Sequence, residues 1–283
     1  MGNENHISES QRVETKDTGE KTWKELSLFS TLIFTLSVLG VQLLVTLITA
    51  VALVLFSVSF IYSLFEISYP AVVSEGIWDE NKIIIVYTIA PVMCFLVGLI
   101  LLRLHPRNWK NRLILTWCSL ALISYLPCSM LAGIFFYDGI GVALNWLFPS
   151  LVVRVSVGLI SVAALVLSKP FWINRFARTV YSGSFLSERE IMDKYLKKVM
   201  ILPWFKGSVI LLVFALSQCN GFWLTTEAGL GLLILPVFFR RIPIPKFSIH
   251  KNDKKIFHSP GSSLFIGMVL LALYLISFIR VGF

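Results

Sequence analysis

One charged residue, Arg154, interrupts the apolar stretch NWLFPSLVVRVSVGLISVAALVLS, residues 145–168. A guanidinium in such surroundings needs acceptors, because an unpaired ion in hydrocarbon costs at least ~2.5 kcal/mol even on the most lenient scale. Side chains able to meet it stand at the ends of neighbouring apolar runs. They are Asp138 in FFYDGIG, Asn145 at the head of the same stretch, Gln218 and Asn220 in SQCNG, and Glu227 in TTEAGLG. Grouped, the six residues form an outward-facing polar pocket that binds a charged or polar substrate, with Arg154 as its cation. Each also has a purely structural use. Arg154 can snorkel to headgroups, Asp138 can sit in an aqueous turn, and Glu227 suits a helix N-terminus through its dipole.

Other chemistries lack their parts. A zinc protease needs two histidines one helical turn apart with a glutamate, and His6, His105, His250 and His258 all lie outside the apolar runs. A serine intramembrane protease lacks its histidine for the same reason. Glycine patterns of nucleotide-binding loops are absent, and Cys94, Cys118, Cys128 and Cys219 form no C-x-x-C pair. No metal and no cofactor is expected. An enzyme that acts on a lipid-linked substrate through Asp138, Glu227 or Arg154 stays open.

The elements that position these residues are set by composition. The chain of 283 residues is 56% hydrophobic and only 14% charged, with a mean hydropathy of +0.78. Soluble chains carry about 25% charged residues, so this one is built for lipid. Its net charge of +9 does not mark a nucleic-acid partner, because 18 of the 25 Lys and Arg fall in three segments between apolar runs. The partners expected are the lipid bilayer and, where the chain serves as a subunit, another membrane protein.

The fold expected is all-α, a polytopic integral membrane bundle with one amphipathic interfacial helix. A span needs about 20 apolar residues. Residues 26–65 hold no charge and supply one long tilted span or a hairpin of two. Further spans are read at 83–102, 113–137, 150–168, 207–219, 226–239 and 262–279, about seven in total, or eight with the hairpin. The sixth is short and holds Gly229, Gly231 and Pro236, as broken helices at transporter binding sites do. Pro91 and Pro127 are possible kinks in the second and third. The basic segments 103–112, 169–206 and 240–261 are assigned to the cytoplasm of a cell-membrane protein, and the acidic intervening loops to the outside.

Two segments fall outside the spans. Residues 1–25 read as a disordered polar tail preceding a transmembrane domain over 26–283, with neither a signal peptide nor a myristoylation motif, since His6 stands where serine or threonine is required. In 169–206, Ser187 and Glu190 form a capping box. Ile191, Met192, Tyr195, Leu196 and Val199 then face one way, and Arg189, Asp193, Lys194, Lys197 and Lys198 the other. That pattern predicts a helix lying on the membrane, ended by Pro203 with Trp204 at headgroup depth.

Arg154 thus sits about 7 Å inside the outer boundary of its span, which starts at Pro149. Ser150, Arg154, Gly158, Ser161 and Ser168 share a face that should point into the bundle, with Asp138 or Glu227 as the counter-charge. Three functions fit: a permease-like or lipid-handling protein using this pocket, which is favoured; a non-catalytic subunit or scaffold of a larger complex; and the lipid-linked enzyme.

Overall fold

The computed structural model describes residues 9–64, 67–68, 78–135, 140–179, 189–218, 261–276 and 280–282. It is mostly helical. The helices are α1 (Glu9–Leu55), α2 (Glu80–Arg103), α3 (Trp109–Phe135), α4 (Ile140–Leu147), α5 (Leu151–Ala177), α6 (Arg189–Leu196), α7 (Leu202–Gln218) and α8 (Gly261–Ile276). A π-helical turn, Lys197–Ile201, joins α6 to α7. Strands β1 (Ile61–Ser63), β2 (Ile67–Ser68) and β3 (Arg280–Gly282) form a small antiparallel sheet in the order β2-β1-β3.

Among the described residues, four helical segments are long and apolar enough to cross a membrane: Trp23–Leu55, Glu80–Arg103, Trp109–Ile134 and Leu151–Ala177. They point to a membrane location. The sixth span expected from sequence, 226–239, and the basic segment 240–261 up to residue 260 lie outside the described residues.

The first apolar run is one helix, not a hairpin. It ends at Leu55, where Ser57 takes a left-handed φ of 56°. Val58 N–H bonds to the Leu53 carbonyl and Ser57 N–H to the Val54 carbonyl, both at 3.0 Å. This is the Schellman pattern of a helix C-terminus, with buried Val58 closing over Leu53. At its other end α1 extends back to Glu9, into the segment expected to be a tail. Good helix formers such as Glu, Lys, Arg and Gln populate that segment, and the long apolar helix behind it supplies the nucleus.

Contacts fix the helix directions. Phe29 meets Trp109 and Phe34 meets Trp117, so α1 and α3 run parallel. Ser30 bonds to Val199, and Gly207 packs on Phe34 and Thr35, so α7 also follows α1. Trp117 meets Phe176 while Gly158 packs on Ile134 and Leu131, which sets α5 antiparallel to α3. The start of α2 meets α4 just beyond the end of α3, so α2 opposes α3 too. β3 pairs with β1, which brings the end of α8 close to the end of α1.

These directions sort the charges. The start of α3 brings Lys110 and Arg112, the end of α2 Arg103, the end of α5 Arg175 and Arg178, and the α6–α7 segment Lys194, Lys197, Lys198 and Lys206. All lie at one end of the bundle. The other end holds the sheet, with Arg280 in β3, and Asp79, Glu80, Lys82 and Arg154.

At the centre of the core Trp117 is fully buried between two rings, 5.0 Å from Phe34 and 4.7 Å from Phe176 by centroid, in edge-on geometry. The apolar face of α6 was expected to rest on lipid, but Tyr195, Leu196, Val199 and Met200 are buried in this same protein core. Trp23 of α1, Phe176 of α5 and Thr179 just beyond it cover the Tyr195 side chain. A two-faced pattern states that one face is apolar; it does not state whether lipid or protein covers it.

Candidate functional site

The Arg154 site is built at the corner between α4 and α5. Gly133 of α3 and Gly141 of α4 approach so closely that a Cβ on Gly133 would lie 2.7 Å from Gly141 Cα, which draws α4 against the end of α3. Asn145 Nδ2 donates to the Gly141 carbonyl one turn back, at 2.9 Å, and this sets the amide plane. Its Oδ1 then accepts from Arg154 Nη1 across the short 148–150 connection. Arg154 N–H closes the first turn of α5 on the Ser150 carbonyl at 3.2 Å. The side chain is half-buried, and its Nε is buried with no acceptor among the described residues.

The shared face turns inward in its middle: Ser150 is exposed and Arg154 and Ser168 are half-buried. Gly158 and Ser161 are buried against α3, whereas Val152 on the opposite face is 74% exposed and Leu167 76%. The Ser161 hydroxyl is taken up by the Val157 carbonyl of its own helix, 2.9 Å away. Thr31, Thr35, Ser37, Thr116 and Ser119 are satisfied in the same way, each bonded to the carbonyl four residues back.

Of the six residues expected to converge, the structure brings Arg154 and Asn145 together. Gln218 closes α7 at the same end of the bundle. Asp138, Asn220 and Glu227 lie outside the described residues. The described partner of Arg154 is therefore a neutral amide. No group of three or more metal-ligating side chains occurs among the described residues.

A second polar cluster, which sequence reasoning missed, lies at the basic end. Ser30 Oγ donates to the Val199 carbonyl at 2.7 Å and accepts from Trp117 Nε1 at 2.8 Å. The accepting carbonyl belongs to the π-helical turn, where the regular ladder is broken; such turns often occur at functional sites. Thr179 Oγ1 donates to the Phe176 carbonyl at 2.7 Å, so the Tyr195 hydroxyl, 2.6 Å away, is the donor of that pair. The NRFART and YLKKV stretches carry no local sign of these pairings.

Burial pushes the Tyr195 hydroxyl above the ordinary tyrosine value, with the Thr179 hydrogen bond acting in the opposite sense. A group raised in the fold keeps its full contribution below its unfolded pKa, about 10, and loses it as pH rises beyond. Tyr195→Phe should cost about 1 kcal/mol at neutral pH and flatten the alkaline fall in stability. Thermal unfolding in detergent from about pH 7 to about pH 11 reads both effects. An alkaline fall as steep as in the unmodified chain would remove Tyr195 as its source.

Comparison with protein-family models, with curated proteins and with solved structures gives no match for this chain.

Proposed function

We propose that the chain is a multi-pass membrane protein of permease-like or lipid-handling type, which receives an anionic group at Arg154. Four apolar helices, their alternating directions and the charge difference between the two ends support the threading read from sequence. In that threading the basic end is cytoplasmic and Arg154 faces outward. The observation that carries the functional reading is the buried Nε of Arg154, a cationic donor with no acceptor among the described residues. A carboxylate or phosphate oxygen bonded there would complete the two-donor edge of the guanidinium, the geometry in which arginine binds such groups most strongly.

Threading is tested by single cysteines at Lys110, Lys197 and Lys254 in a background lacking the four native cysteines. All three should resist an impermeant thiol reagent in intact cells, and labelling of any one from outside overturns the orientation. Function is tested by reconstitution into vesicles with a fluorescent anionic phospholipid in one leaflet. The chain should accelerate its exchange between leaflets, and Arg154→Gln should abolish the gain. An exchange rate equal to that of protein-free vesicles contradicts lipid handling.

A further inference from the structure

Helix α5 carries a second arginine of the same kind. Arg175, in its last turn, is half-buried, and its Nε is buried with no acceptor among the described residues. The rise from Arg154 to Arg175 is about 31 Å at ~1.5 Å per residue, which matches the ~30 Å depth of a bilayer's hydrocarbon core. Between them the outward face of α5 is apolar and exposed, from Val152 through Leu159 to Leu167. Lys169 lies within this length, and its four-carbon stem reaches the same interface by snorkelling. The two arginines therefore stand towards opposite boundaries of the hydrocarbon core, from which a long side chain reaches the headgroups of its own leaflet.

The surroundings of Arg175 select the ligand. Trp172 and Phe176, on either side of it in sequence, are buried in the core and draw the arginine stem inward. Arg178, the C-cap of α5, follows three residues later. The Tyr195 hydrogen bond to Thr179 holds α6 against this end, which adds Lys194, Lys197 and Lys198. Asp193 on α6 and Glu25 on α1 do not take the Arg175 Nε. A tetrahedral phosphate offers two oxygens to the Nε–Nη edge. A zwitterionic headgroup would bring its own cation among these bases, whereas an anionic one would not.

We propose that Arg175, flanked by Arg178, binds the phosphate of an anionic phospholipid in the leaflet at the basic end of the bundle. The assignment does not depend on Arg154. It is tested by thermal unfolding of the purified full chain in detergent with added phosphatidylglycerol, phosphatidylcholine or inorganic phosphate. Phosphatidylglycerol at saturating concentration should raise the midpoint by about 5 °C or more. Phosphatidylcholine and inorganic phosphate should not. The rise should shrink clearly in Arg175→Gln to the part contributed by the outward site, return in part in Arg175→Lys, and keep its Arg175-dependent part in Arg154→Gln, which separates the two sites. An equal rise with inorganic phosphate overturns the lipid assignment, an equal rise with phosphatidylcholine overturns the preference for anionic lipid, and an unchanged rise in Arg175→Gln overturns the site. Should Arg175→Gln fail to fold, the unmodified chain decides the matter. Purified from vesicles holding equal amounts of the two lipids, it should retain phosphatidylglycerol in excess, and retention in the vesicle ratio contradicts the proposal.

Discussion

Trp117→Ala should destabilise the chain by about 3–5 kcal/mol, the usual cost of deleting a buried tryptophan. The side chain is fully buried and stacks edge-on between Phe34 of α1 and Phe176 of α5, so its removal opens a cavity where three helices meet. It also removes the donor to Ser30, whose own bond to Val199 ties α1 to the π-helical turn. Trp117→Phe keeps a ring in place and loses mainly the N–H, so it should cost less than half as much as the alanine change. Denaturant unfolding of the detergent-solubilised variants measures the difference. If both substitutions cost under about 1 kcal/mol, which is typical of surface positions, the aromatic stack does not hold the bundle together.

Asn145→Ala should cost more stability than Arg154→Ala in the absence of ligand. Asn145 supplies the one described acceptor of a half-buried cation, and removing it strands the charge, at about 1–3 kcal/mol. Removing the arginine leaves only a neutral amide oxygen unpaired. Arg154→Ala added to Asn145→Ala should therefore recover part of the loss. Function should respond the other way. Loss of Arg154 should reduce exchange of an anionic lipid by about thirtyfold, equivalent to ~2 kcal/mol, whereas Asn145→Ala retains the cation and should retain part of the rate. Equal stability losses in the two single variants, with no recovery in the double, would show that the amide and the guanidinium do not act as a pair.

Much of the architecture was legible in the sequence because its physics is local and one-dimensional. Long apolar runs mark Trp23–Leu55, Glu80–Arg103, Trp109–Ile134 and Leu151–Ala177, and bases cluster at their ends. The inward stripe of α5 followed from Gly158 and Ser161 at helical spacing. Other features depend on which surfaces meet. The apolar face of α6 reads the same whether lipid or Trp23 covers Tyr195. The Ser30 bond to Val199 joins residues far apart in sequence through a turn whose π geometry has no residue signature. Asn145 was legible as one of several candidates near Arg154. Its selection rests on the approach of Gly133 to Gly141 and on the short connection into α5.

A binding titration tests the central claim most directly. The full chain is titrated in detergent with a fluorescent phosphatidylglycerol, in the background of Arg175→Gln so that the basic end does not contribute. Saturable binding is expected, weakened about thirtyfold by Arg154→Gln and much less by Arg154→Lys, which keeps the charge. Binding that is non-saturable, or equally tight in Arg154→Gln, would contradict an anion-receiving pocket at Arg154.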